Sequence, residues 1–185
     1  MHRARTQKNN FSDSLFERED MMAIKDGFVK EVEQESVATR KMLERIPTES
    51  FDWKPHERSM TMKGLAGLVA DMFGWFRFMI DEDELDFAKG YERPDPKTTE
   101  GLVNFFDKKL AEGMQSLKNA DDAVFSENWK LRNGDAIYWE ASKLDVVRQT
   151  INHMVHHRGQ LSVFLRLKDI PVPSIYGPSA DEGQM

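Results

Sequence analysis

Apolar residues recur at mixed three- and four-residue steps from about Glu17 to Ile46, through Ile24, Phe28, Val32, Val37, Met42 and Leu43. That period marks one face of an α-helix, and Pro47 closes it. PTESFDWKPHERS follows as a connector, with Pro47 and Pro55 as breakers. A second helix is predicted from Ser59 or Thr61, either of which can cap it, through MTMKGLAGLVADMFGWFRFMIDE. Its apolar face holds Leu65, Leu68, Met72, Trp75, Phe76 and Met79. The segment DFAKGYERPDPK reads as a loop. Thr98 or Thr99 caps a third helix with a stripe of Leu102, Phe105, Phe106, Leu110 and Met114. In NWKLRNGDAIYWEA, Asn133-Gly134 predicts a small hairpin, because both residues tolerate positive φ. Ser142 caps a last helix over about Lys143 to Lys168, with Asp145 completing a capping-box-like pattern. The tail DIPVPSIYGPSADE is too rich in proline to be helical.

These elements predict an all-α fold: an up-down four-helix bundle with a hairpin-like insert, at least one long connection and an extended C-terminal tail. Residues 1–16 read as a flexible arm and 17–185 as one domain. The acidic run MIDEDELDF reads as a solvated helix end.

Composition narrows the function classes. A net charge of -6 leaves no excess of cations to displace counterions from phosphates, which argues against nucleic acid. No apolar run approaches the ~20 residues that span a bilayer, and no signal-like apolar segment follows the basic N-terminus, so the expectation is a cytoplasmic protein with no membrane partner. Without cysteine, a metal must be held by His, Asp, Glu or water.

The candidate chemistry lies in NHMVHHRGQL, residues 152–161. At roughly 100° per residue, His153 and His157 fall about 40° apart on a stripe shared with Val146, Gln149, Gln160 and Phe164. That stripe is expected to face the bundle interior. Ile151 and Val155 lie on another side, which suggests a second covered face. A His pair at i, i+4 can hold one ion, but a catalytic zinc takes three protein ligands. Trp139 and Tyr138 are candidates to roof the cavity. Arg158, opposite the His pair, reads as a salt-bridge or tail-anchoring residue.

The stretches NHMVHHRGQLSVFLRLKDIPVPSIYGPSADE, RSMTMKGLAGLVADMFGW and DWKPHERSM resemble the DinB (damage-inducible protein) family of four-helix-bundle metalloproteins over about residues 22–182. The resemblance implies a metal triad of one second-helix His and an HxxxH pair. The pair maps to His153 and His157. The second-helix position, in LAGLVADMFGW, is Leu68, so the third ligand is missing. Asp71, His56 and His156 are the candidate substitutes; for Asp71 the competing reading is a rim residue, and for His56 a solvated loop. A divalent zinc, nickel or iron ion is then weakly bound or absent.

Two functions stay open. The resemblance implies a metal-dependent S-transferase joining a thiol to an electrophile. The alternative is a degenerate, non-catalytic bundle that binds a small hydrophobic ligand or serves as a structural module. The family also implies a homodimer.

Overall fold

The computed structural model describes residues 23–183. The predicted arm 1–16 and the start of the first predicted helix lie outside the described residues. Four helices form the frame: α1 (Ile24–Glu44), α2 (Met62–Asp81), α3 (Thr99–Asn119) and α4 (Lys143–Leu167). The predicted caps are largely the observed ones. The side chains of Thr61, Thr98 and Ser142 accept from the N–H groups of Gly64, Gly101 and Asp145. The first turn of α1 has no cap of its own, and Asp122 supplies one by accepting from Ile24 and Lys25 N–H at 2.8 and 3.1 Å.

The helix directions correct the simple up-down expectation. Arg40 pairs with Asp107 and Lys118 with Glu33, so α3 runs antiparallel to α1. Lys109 lies against Gly74, Gly113 against Phe73 and Phe76, and Ser116 hydrogen-bonds Asp81, so α3 runs parallel to α2. Thr150 meets Met79, and His153 meets Trp75 one turn earlier in α2, so α4 is antiparallel to α2. The order is up-down-down-up, with α1 packed on α3 and α4 rather than on its chain neighbour α2. Successive parallel helices need a return strand of chain. Residues 82–98 provide it.

The return path adds a third strand, which the sequence pattern did not predict, to the hairpin that it did, so the fold is not purely all-α. Strand β1 (Glu84–Asp86) pairs parallel with β2 (Asn128–Asn133), which pairs antiparallel with β3 (Ala136–Ser142). ELD, read as part of a solvated helix end, is therefore an edge strand. The hairpin falls in the predicted segment, one residue later. Gly134 and Asp135 form the two-residue loop, and only Gly134 has positive φ, at 58°. A register shift follows Leu131, where Leu131 opposes Trp139 and Arg132 opposes Ile137. Asp86 ties the sheet together: its Oδ1 accepts from Gly134 and Ala88 N–H at 2.9 and 3.0 Å, and its Oδ2 from Arg132 at 3.2 Å.

One core joins all four helices, with Phe73, Phe76, Phe106, Met42, Leu161 and Leu165 fully buried. At the α2–α3 contact, a Cβ on Gly113 would lie 1.9 Å from the Phe73 carbonyl oxygen. Only glycine allows this approach. Ile151, read as part of a second covered face, sits in this core, and only Val155 of that pair is part-exposed. No helix among the described residues is long and apolar enough to cross a membrane.

Two outcomes are expected. Gly113→Ala gains helix propensity of up to ~1 kcal/mol, yet chemical denaturation should show net destabilisation of about 1–3 kcal/mol or more, because a backbone carbonyl cannot swing aside. The hydrogen bonds from Gly134 and Ala88, with Arg132, hold the Asp86 carboxyl below its ordinary pKa. Its stabilisation is complete above the unfolded value near 3.8 and is lost as pH falls through the lower folded value. Urea titrations across that acid range should show a shallower loss for Asp86→Asn than for the wild type.

Candidate functional site

The α2–α4 seam carries the predicted site. Antiparallel register sets Met79 beside Thr150 and Trp75 beside His153, and Leu65 shares a surface recess with Gln160 and Phe164. Leu68 therefore lies level with the stretch of α4 from His157 towards Leu161. It is half-buried and packs on the core.

His153 and His157 do come together. Their Nε2 atoms are 2.8 Å apart, so one ring donates to the other. His157 Nδ1 contacts Gln160 Oε1 at 2.8 Å, and the Gln160 amide nitrogen contacts His156 Nε2 at 3.0 Å. The predicted inward orientation is corrected. The core stripe of α4 is Val146, Thr150, Met154, Leu161 and Leu165, while the imidazoles stand on its flank. His153 and His156 are exposed and His157 is half-buried. His153 nonetheless has one side against Trp75 and the cavity beside it. That desolvation, with the neighbouring His157 and His156, lowers its pKa below 6.5.

None of the substitutes completes a triad. Asp71 is buried, at 3% exposure, and already engaged. Its Oδ2 accepts from Tyr91 and from Trp75 Nε1, and Lys109 approaches its Oδ1 at 3.9 Å. His56 is exposed in the connector, where its Nδ1 accepts from Arg58 N–H at 3.1 Å. Among the described residues no group of three His, Cys, Asp or Glu side chains is placed to hold a metal. The donor set is two imidazoles already bonded to each other, beside a leucine. It does not fit the three-ligand centre that the family resemblance implies.

What adjoins the pair is apolar. A cavity of about 260 Å³ opens next to His153, with Trp75, Trp129 and Trp139 among its walls and Gln149 at its edge. Trp139 was a predicted roof residue; Tyr138 beside it is 60% exposed and does not line the cavity. Sequence reasoning missed Leu85 and Phe87, which line it from the return segment. Their apolar character inside an acidic run was the available signal.

Arg158 is the anchoring residue its position suggested, and it is almost wholly buried, at 1% exposure. It pairs with Glu35 at 2.5 Å, donates to the Glu35 carbonyl and Thr39 hydroxyl at 3.1 Å, and reaches Tyr176 OH of the tail at 2.7 Å.

An up-down-down-up bundle with two histidines one turn apart on its last helix defines a fold class, and the comparisons identify it. The sequence model of the DinB family matches residues 21–184, and the chain belongs to that family. It is 26% identical over 164 residues to the uncharacterized protein YrdA of Bacillus subtilis (strain 168), covering 85% of this chain and 90% of that one. The crystal structure of the DinB-like protein YjoA from Bacillus subtilis has the same fold, with a TM-score of 0.65 at 16% identity over 83% of this chain and 99% of that one. A DinB-like protein from Bacillus cereus ATCC 10987 superposes with a TM-score of 0.61 at 19% identity, covering 82% and 97%.

Truncating Arg158 to alanine leaves the buried Glu35 carboxylate without its cation. Denaturation should show a loss of about 3–5 kcal/mol, accompanied by faster proteolysis of the tail beyond Lys168.

Proposed function

We propose that this DinB-family protein binds a small, uncharged, largely apolar molecule in the cavity between α2, α4 and the sheet, without the three-ligand metal chemistry of the family pattern. The observation that supports this best is the pairing of His153 with His157 beside Leu68, adjoining a cavity walled by three tryptophans. Trp129 spends its N–H on the Phe78 carbonyl at 3.1 Å and Trp75 on Tyr91 OH at 2.7 Å, which leaves their rings as apolar wall. Among the described residues no Asp, Glu, Lys or Arg lines the cavity, so none of them compensates a ligand charge. His153 and Gln149 supply the polar contacts that fix orientation. The volume falls just below the ~300–1,000 Å³ typical of drug-sized sites, which selects a compact ligand.

A second reading is favoured by the 2.8 Å approach of the two Nε2 atoms. In it His153 and His157 hold zinc, nickel or iron, and the protein is a metal-dependent S-transferase acting on a thiol. It requires a third donor from solvent or from the thiol itself. In either reading a homodimer is proposed on family resemblance alone.

Elemental analysis and thermal shift separate the two. Tag-free wild type and His153→Ala/His157→Ala should carry equally little metal after incubation with each ion. Indole should raise the melting temperature, by the equivalent of about 2.7 kcal/mol at a hundred times its Kd. Leu131→Trp, which fills the cavity from β2, should abolish the shift. Near-stoichiometric metal that disappears in the double variant would establish the second reading. No stabilisation by indole would sink the first.

A further inference from the structure

The return segment between α2 and α3 builds a second recess, of about 570 Å³, lined by Asp71 and Tyr91, the two partners of the Trp75 N–H. Three anchors hold its rim to α2. Tyr91 OH meets Asp71 and Trp75, Pro94 packs on Gly67 at what would be 3.2 Å from a Cβ, and Asp95 pairs with Lys63 at 2.9 Å. Parallel α2–α3 packing makes this path obligatory, so the recess is a product of the fold.

Its floor holds a carboxylate with one oxygen to spare. Asp71 is buried, and its Oδ2 accepts two hydrogen bonds. Among the described residues its Oδ1 makes none, and Lys109 Nζ stands off at 3.9 Å. Among the described residues no wholly buried side-chain polar atom lacks a partner, so Oδ1 opens into the recess. Lys109 is engaged elsewhere as well. Its stem lies on the bare backbone of Gly74, where a Cβ would sit 2.6 Å from its Cδ, and its ammonium is shared with Glu112 at 3.4 Å. At the rim, Arg93 lines the recess and makes no ion pair among the described residues. The lining carries equal numbers of acids and bases: Asp71, Glu92 and Asp95 against Arg93, Lys108 and Lys109. Phe78 and Phe105 add apolar wall.

A free acceptor at the floor wants an N–H donor, and a free guanidinium at the rim wants a carboxylate. A balanced lining disfavours a ligand of net charge. We propose that the recess binds a small aminocarboxylate zwitterion, its ammonium on Asp71 Oδ1 and its carboxylate on Arg93. This site is separate from the apolar cavity and does not depend on how that cavity is used.

The test is calorimetric titration of the full chain with glycine, β-alanine, 4-aminobutyrate, 6-aminohexanoate and L-phenylalanine. The series varies charge separation and apolar bulk. At least one should bind, with hexylamine and hexanoate roughly tenfold weaker or worse, because each lacks one charged hydrogen bond. Asp71→Asn keeps an oxygen for Tyr91 and Trp75 but loses the charge, and Arg93→Ala changes only an exposed loop residue. Each should weaken binding roughly tenfold with an unchanged circular dichroism spectrum. Binding should also perturb tryptophan fluorescence, because Trp75 donates to Asp71 and Tyr91. The proposal fails if none of the five binds at millimolar concentration, or if binding is indifferent to both Asp71→Asn and Arg93→Ala.

Discussion

The close parallel contact of α2 with α3 constrains everything around it. Gly113 admits the backbone of Phe73, and Gly74 admits the stem of Lys109, so the two helices lie nearer than ordinary side chains allow. Two parallel helices in sequence force the chain to travel back along their length. That return path supplies β1, gives the hairpin a third strand, and lays Tyr91, Pro94 and Asp95 along α2. Both recesses beside Trp75 are therefore consequences of one helix–helix approach.

Against this frame the histidine pair looks different from its sequence pattern. The spacing of His153 and His157 is what a metal site needs, and the rings do meet. What the seam lacks is a facing donor. Leu68 offers none, and Asp71 is held in place through its Oδ2 by Tyr91 and Trp75. A carboxylate held by a phenol and an indole cannot swing to a metal without leaving both donors unsatisfied in a buried place. Membership of the DinB family fixes the fold, while the chemistry depends on the residues that face the histidines.

Much of this was legible in the sequence, for local reasons. Helix limits follow from caps and prolines, and Thr61, Thr98 and Ser142 act where the pattern put them. The approach of His153 to His157 follows from their spacing. Helix direction was not legible, because short-range periodicity carries no information on whether a connector doubles back. Three residues of strand in an acidic run give too little alternation to be seen. The orientation of α4 was misread because Val146, Gln149, His153 and Phe164 form as regular a stripe as Val146, Thr150, Met154 and Leu161. Tertiary packing chose the second, and buried Arg158 with it because Glu35, Thr39 and Tyr176 satisfy its guanidinium.

Trp75 has an apolar side and a polar edge. One side of its indole faces the apolar cavity and His153, and its N–H is held by Tyr91 and Asp71 at the floor of the polar recess. The same stretch of α2 therefore presents an apolar ring to one recess and a hydrogen-bonded polar edge to the other, with Phe78 lining both.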